Sequence, residues 1–250
     1  MPGPWNGAIE KPGARRGSLR RAAYLTCAVG AAHAVLFLLS YWLLSNAPGS
    51  RASDSQIAAF YHAGNQRHVI LAGLYLMPFA GIAFIWFIVT LRMWIAAQLP
   101  RENALLSNVQ LVSGILYVAL FFATAAAISA LPASVEFSSV PISPIMARLF
   151  PQFGFALLFV FAMRMAAMFV FTTSSIARSA GVLPRWFIYL GYLVGLFLLL
   201  SATFSPLLVL IFPLWLLTLC ALLLWRARAL SAERGTFLSS PNQGARTTGG

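Results

Sequence analysis

Charged residues are scarce in this sequence, and acidic ones are the scarcest. Only 9% of the 250 residues are charged, with five Asp and Glu against 17 Lys and Arg. A soluble domain carries roughly 25% charged residues, which cover its surface. With 60% hydrophobic residues, this chain lacks the charge that a soluble surface needs. The composition therefore excludes a soluble domain and indicates a membrane protein.

Lysine is nearly absent as well, since Lys11 is the only one and the other basic residues are Arg. A net charge of +12 would suit a nucleic-acid partner if it lay on one face. Here the basic residues lie in the tails and in short connections between apolar runs, which is a topology signal. We therefore predict membrane lipids, and no nucleic acid, as partners. The Arg and Ala excess is typical of a high-GC bacterial genome.

Cysteine is limited to Cys27 and Cys220, both inside apolar runs. That placement favours small buried side chains over a disulfide framework or a metal site. No Walker loop, HExxH, GxSxG or CxxC motif occurs, and no apolar run holds an acidic residue. The histidines His62 and His68 are six residues apart, so they do not form an i,i+4 metal pair. We predict no cofactor, no metal and no enzymatic activity.

Long apolar runs are what the sequence has in place of charge. A membrane span needs about 20 mostly apolar residues. The runs predict an all-α polytopic transmembrane helical bundle with six transmembrane helices, between a basic tail 1–21 and a tail 227–250 that we expect to be disordered and cytoplasmic. The predicted spans are 22–44, 69–91, 104–130, 152–177, 186–204 and 207–226.

The last two spans come from one run, because no charge occurs from Trp186 to Trp225. A single helix of 40 residues would be about 60 Å long, twice the thickness of the hydrocarbon core. We place a tight hairpin at Ser201 to Pro206. Gly191 and Gly195 form a GxxxG pair, which allows close helix contact. The first run is too long for a signal peptide, although cleavage after Ala47 would leave five spans.

Two longer connections join the spans. In residues 45–68, the sequence from Ser53 to Gln56 predicts a capping box that opens a short helix. Its apolar face favours an interfacial helix on the outer membrane surface. The face consists of Ile57, Phe60, Tyr61 and Gly64. Residues 131–151 hold four Pro and several Ser, and we predict an irregular loop there. We also expect Pro78 to kink the second span.

The basic residues predict the orientation of the chain. With the N-terminus inside, the inner tails and connections hold 13 Lys and Arg and the outer connections hold three, Arg51, Arg67 and Arg148. Cytoplasmic segments carry the excess of Lys and Arg. We therefore expect a multi-pass protein of the bacterial plasma (inner) membrane with both termini in the cytoplasm.

Three segments are similar to those of a known group: Pro78 to Phe87, Arg164 to Ala167 and Gly181 to Trp186. They resemble uncharacterised integral membrane proteins from actinobacteria over most of residues 20–226. The resemblance implies the six-span layout and a plasma-membrane location. It implies no activity.

Arg164 is the one charged residue near the middle of a predicted span. A central Arg costs about 2.5–3.5 kcal/mol on insertion scales, so it needs compensation, and no span contains an acid. One hypothesis is that Arg164 holds an anion in a cavity lined by His33, Asn108 and Gln110. The alternative is that polar neighbours or free backbone carbonyls at Pro78 satisfy it and that it fixes helix packing.

Two functions remain open from the sequence. The first is a non-enzymatic accessory protein, or a lipid or small-molecule binder, with Arg164 as its polar centre. The second is a small transporter or permease for an anionic or amphipathic substrate. A transporter requires a cavity that reaches Arg164, whereas a scaffold requires Arg164 to be sealed by its neighbours. The sequence does not identify a protein partner.

Overall fold

Helices, without strands, make up the part of the chain that the computed structural model describes. The described residues are 12–49, 51–98, 103–138, 141–201 and 206–238. An all-helical chain is what the long apolar runs predict, because a helix satisfies every backbone hydrogen bond within its own segment.

Seven helices follow one another in these described ranges. Two of them contain a π-helical turn, Leu71–Leu76 in the third helix and Leu157–Ala162 in the fifth. The helices are α1 (Pro12–Ser45), α2 (Asp54–His62), α3 (Gln66–Ala96), α4 (Ala104–Ser138), α5 (Pro144–Ala180), α6 (Arg185–Leu200) and α7 (Pro206–Leu238).

Five helices are long and apolar enough to cross a membrane. They are Arg21–Ser45 of α1, the whole of α3, α4 and α5, and Val209–Arg228 of α7. Helix α6 is apolar but has 16 residues, which gives it a length of about 24 Å. The structure thus supports a membrane-embedded helical bundle, while the sixth crossing stays a prediction.

The predicted tails and hairpin lie partly outside the described residues. Residues 12–21 belong to α1 and residues 227–238 belong to α7, so these parts are helical. Residues 1–11, 239–250 and, within the predicted hairpin, 202–205 lie outside the described residues.

The loop predicted at 131–151 is wrong over most of its length. Helix α4 continues to Ser138 with Pro132 inside it, and α5 begins at Pro144 and runs on through Pro151. Pro144 occupies the first turn of its helix, where the missing N–H has no partner to lose. Interior Pro is also tolerated in membrane helices, because neighbouring groups satisfy the freed carbonyls. The high density of proline is therefore not a sign of a loop in this part of the chain.

The capping box at Ser53 is confirmed. The Ser53 hydroxyl accepts from the Gln56 N–H, and the Gln56 side chain accepts from the Ser53 N–H at 2.9 Å. The prediction that the apolar face of α2 lies on the membrane surface is wrong. Ile57 and Tyr61 are buried against protein, in a small cluster with Leu131 of α4.

The six longer helices pack in a ring. Helix α1 packs against α3 and α7, α4 packs against α3 and α5, and α6 packs along α5. The GxxxG pair makes the close contact that the sequence predicts. A Cβ built on Gly191 would lie 2.0 Å from Ser174 Oγ, and one on Gly195 would lie 2.9 Å from the Phe171 ring.

The ring has two chemically different ends. At the end that we name the cavity end, α1 and α4 terminate and α3 and α5 begin. Its described acids accept from basic side chains: Glu136 accepts from Arg67 Nε at 3.0 Å, and Asp54 accepts from Arg148. At the opposite end, Arg92 donates to Ser107 Oγ at 2.8 Å.

Candidate functional site

Arg164 lies on α5, just beyond the π-helical turn Leu157–Ala162. Its Nη1 donates to the carbonyl of Val160, inside that turn. A π-helical turn replaces the usual i→i−4 backbone hydrogen bonds by longer ones, and Met163 N–H accordingly donates to the Leu158 carbonyl. Arg164 therefore uses a carbonyl of its own helix, rather than one freed at Pro78.

His33 is fully buried at the centre of the ring. Its Nδ1 lies 2.8 Å from the Ala80 carbonyl and its Nε2 lies 3.3 Å from the Tyr117 hydroxyl. A carbonyl can only accept, so Nδ1 carries the proton and Nε2 accepts from Tyr117. Five rings surround His33 with centroids 4.7 to 6.3 Å away: Phe37, Phe84, Tyr117, Phe121 and Phe212. We name this group the aromatic core.

Gln110 and Asn108 differ from each other in their surroundings. Gln110 is buried and its Nε2 donates to Thr173 Oγ1 at 2.7 Å, which joins α4 to α5. Asn108 is exposed. Thr173 is nine residues beyond Arg164 on α5, about 14 Å along the helix axis. Gln110 therefore lies well away from Arg164.

The structure does not bring the four predicted site residues together. Within the described residues, Arg164, His33, Asn108 and Gln110 make no hydrogen bond to one another, and neither of the two cavities described below is lined by any of them. The structure therefore corrects the hypothesis of a single anion site built from all four residues.

A cavity lies instead at the cavity end of the ring. Its volume is about 580 Å³, within the range of 300–1,000 Å³ typical of small-molecule sites. Most of its wall is apolar or aromatic. The wall includes Tyr41 and Leu44 of α1, Ile57, Phe60 and Tyr61 of α2, Val69 of α3, Ile128 of α4, and Arg148, Gln152, Phe155 and Phe159 of α5.

Arg148 is the only charged residue in the described wall of this cavity. Its Nε and Nη2 both donate to the Ala52 carbonyl, at 3.1 and 2.8 Å, and Nη2 also donates to Asp54. These bonds hold α2 and the segment before it over the start of α5. Asp54 is 72% exposed, whereas the Arg148 side chain is 29% exposed.

Tyr61 and Gln152 add polar groups to the same wall. Tyr61 is 9% exposed, and among the described residues its hydroxyl has no hydrogen-bond partner. Burial raises the pKa of Tyr61 to about 12, so the phenol is neutral and available as a donor at neutral pH. Gln152 follows Arg148 by one turn on α5 and is exposed.

A shallower depression of about 660 Å³ adjoins the cavity and shares Pro48, Gly49 and Phe60 with it. Its charged residue is Arg51, and no Asp or Glu lines either cavity in the part of the chain that the structure describes. The concave surface at this end therefore combines an apolar wall with cationic and donor groups.

No motif in the sequence marks these residues as a site. From the sequence alone, Arg148 is an outer basic residue and Tyr61 is part of the apolar face of a surface-bound helix. The one signal in the sequence was that face, because three of its members, Ile57, Phe60 and Tyr61, line the cavity.

The described residues hold no cluster of three or more His, Cys, Asp or Glu that would suit a metal ion. Cys27 and Cys220 are buried free thiols, as small apolar side chains would be, and Cys27 Sγ donates to the Cys220 carbonyl at 3.1 Å. That contact joins α1 to α7.

Comparison with protein-family models, with curated proteins and with solved structures gives no match to this chain.

Proposed function

We propose that this chain is a bacterial plasma-membrane protein that binds a lipid or another amphipathic small molecule in the cavity at its cavity end. In this proposal it is a non-enzymatic binding or accessory protein. The observation that carries the proposal is the cavity itself, which has the volume of a ligand site and a mostly apolar wall with a few polar groups.

The proposal includes six crossings with both termini in the cytoplasm. Helix α6 packs along α5 as a member of the ring, and a short span is accommodated by local thinning of the bilayer. The end opposite the cavity carries Arg92, Arg178, Arg185, Arg226 and Arg228, at helix ends or in short connections. The positive-inside rule assigns such an end to the cytoplasm, so the cavity opens toward the outer surface.

The aromatic core favours binding over transport, which was the alternative from the sequence. A transporter alternates access to a site near the bilayer midplane. Here His33, Phe84 and Tyr117, each 0% exposed, fill the centre of the ring. In this proposal Arg164 is a structural residue, because its guanidinium satisfies a carbonyl in the π-helical turn of its own helix.

Photolabelling with a neutral amphiphile tests the proposal. The probe is stearyl alcohol that carries a diazirine on its chain, applied to the full-length protein in nanodiscs of zwitterionic lipid. We expect labelled peptides from the cavity wall, on α1, α2 and the first half of α5, to exceed those from the outer faces of the ring. Excess unlabelled stearyl alcohol should suppress the labelling at the cavity.

A pair of variants locates the site. Ala147 lines the cavity, and Ala147→Phe should fill part of it and reduce labelling of the wall several-fold. Ala126 is exposed on α4, so Ala126→Phe makes the same substitution away from the cavity and should leave the labelling unchanged. Equal labelling of the wall and of lipid-facing surfaces, unaffected by Ala147→Phe, contradicts the proposal.

A further inference from the structure

We infer that the cavity selects amphiphiles with an anionic head group, a carboxylate or a phosphate, and that Arg148 is the residue that binds it. This inference rests on the proposed function and adds the chemical class of the ligand. It depends on which polar groups of the wall are already used and which are free.

The guanidinium of Arg148 is anchored and yet keeps free donors. Nε and Nη2 are held by the Ala52 carbonyl at 3.1 and 2.8 Å, which fixes the plane of the group. Nη1 makes no hydrogen bond within the described residues, so two N–H donors remain. Arg binds carboxylates and phosphates through paired N–H groups, and a positioned guanidinium loses little conformational freedom on binding.

Other polar groups of the same cavity wall can also donate hydrogen bonds. Tyr61 lines the cavity, and its hydroxyl has no hydrogen-bond partner within the described residues. The hydroxyl is not one of the buried side-chain atoms that lack a partner there, so it is accessible and can donate to a ligand acceptor. The amide of Gln152 supplies further donors. Since no acid lines the described wall, this set of groups matches an acceptor-rich anion rather than a cation.

Asp54 accepts a hydrogen bond from Nη2 of Arg148. It is 72% exposed, and an ion pair with such an exposed partner contributes little to stability because water screens it. A ligand anion held inside the cavity would meet Arg148 in a less hydrated place, where a charged hydrogen bond is stronger. We therefore expect the ligand and Asp54 to compete for the same guanidinium.

Competition for the photolabelled cavity measures this selectivity. Unlabelled stearate, stearyl phosphate and stearyl alcohol share one chain and differ in the head group. For the wild-type protein, at least one of the two anions should compete about tenfold better than the alcohol, the effect expected from one charge-assisted hydrogen bond. Arg148→Gln should remove that preference, and Arg148→Lys should retain part of it.

Asp54→Asn provides a second variant that keeps Arg148 in place and preserves a side chain of the same shape on α2. Because it removes the competing carboxylate, it should increase the affinity for the anions and leave that for the alcohol unchanged. An unchanged or reduced anion affinity in Asp54→Asn overturns the competition between ligand and Asp54.

The outcomes separate the two proposals. If stearyl alcohol labels the cavity but all three competitors are equally effective, the anionic selectivity is wrong and the binding function stands. If the wild-type cavity is not labelled at all, both are wrong. Stronger competition by stearyl phosphate than by stearate indicates a phospholipid-type head group as the source, and the reverse order indicates a free fatty acid; either order supports the role of Arg148.

Discussion

The aromatic core around His33 and the cavity around Arg148 both place a polar side chain among apolar ones. They differ in how many of its hydrogen-bonding groups have partners. Both ring nitrogens of His33 have partners, at 2.8 and 3.3 Å, and five aromatic rings pack around it. Arg148 keeps free N–H donors, and the hydroxyl of Tyr61, in the same cavity wall, has no partner among the described residues. A satisfied polar group stabilises a packed interior, whereas free donors beside an empty volume are suited to a ligand.

The largest difference between the two regions should be in stability. His33→Ala leaves a void between aromatic rings and removes the acceptor of the Tyr117 hydroxyl. We expect the free energy of unfolding to fall by about 3 kcal/mol, the size typical of large-to-small core substitutions. Denaturant unfolding of the purified protein measures it. His62→Ala, on the exposed side of α2, is the control and should change stability by less than about 0.5 kcal/mol. Equal losses of stability in His33→Ala and His62→Ala would mean that the partners of His33 do not stabilise the packed interior.

Glycine substitutions compare how tightly a helix contact outside the aromatic core, that of α5 with α6, and the cavity are packed. Gly191→Ala places a Cβ 2.0 Å from Ser174 Oγ and should destabilise the protein by about 2 kcal/mol through overpacking. Gly49→Ala at the cavity has nothing within 4 Å of the new Cβ and should be nearly neutral. Thermal unfolding measures both.

A double variant identifies the clash at Gly191 as the cause. Ser174→Ala removes the hydroxyl and leaves the Cβ, which lies 3.2 Å from the built atom. We expect Gly191→Ala with Ser174→Ala to be more stable than Gly191→Ala alone. No recovery in the double variant would mean that the destabilisation has another origin.

The smallest expected effect is on the titration of the Tyr61 phenol, whose pKa reports how far water is excluded from the cavity wall. Burial raises the pKa of Tyr61 to about 12, above the ordinary value of about 10. The fold therefore favours the neutral phenol. The stabilisation of the folded state by the neutral Tyr61 phenol is complete below about pH 10 and is lost as the pH rises from about 10 to about 12. The difference in phenolate absorbance between wild type and Tyr61→Phe should have its midpoint near 12, and a midpoint near 10 would place the hydroxyl in water.

Much of the fold was predictable because the lipid environment imposes simple rules. Long apolar runs must be helical, and the described helices overlap each predicted span. The capping box at Ser53 depends only on a neighbour three residues away. The close approach at Gly191 depends on the absence of a side chain. Local chemistry therefore determined them.

Proline was the least reliable signal. Pro132, Pro144 and Pro151 predicted a loop, yet all three lie in helices. Whether a Pro ends a helix depends on what satisfies the freed carbonyl, and neighbouring helices decide that. The hydrogen-bond partner of Arg164 was unpredictable for a similar reason. It is a carbonyl in a π-helical turn, and no sequence pattern predicts that turn.

By itself, the sequence determined a helical membrane protein with basic termini, because the low charge and the long apolar runs leave few other folds. Only the tertiary structure decided which polar groups line a cavity. Arg148 and Asp54 are 94 residues apart in the chain, and whether a polar group is satisfied depends on neighbours that folding brings together. For that reason the proposed site moved from Arg164, which lines neither described cavity, to Arg148, which has free donors in a cavity wall.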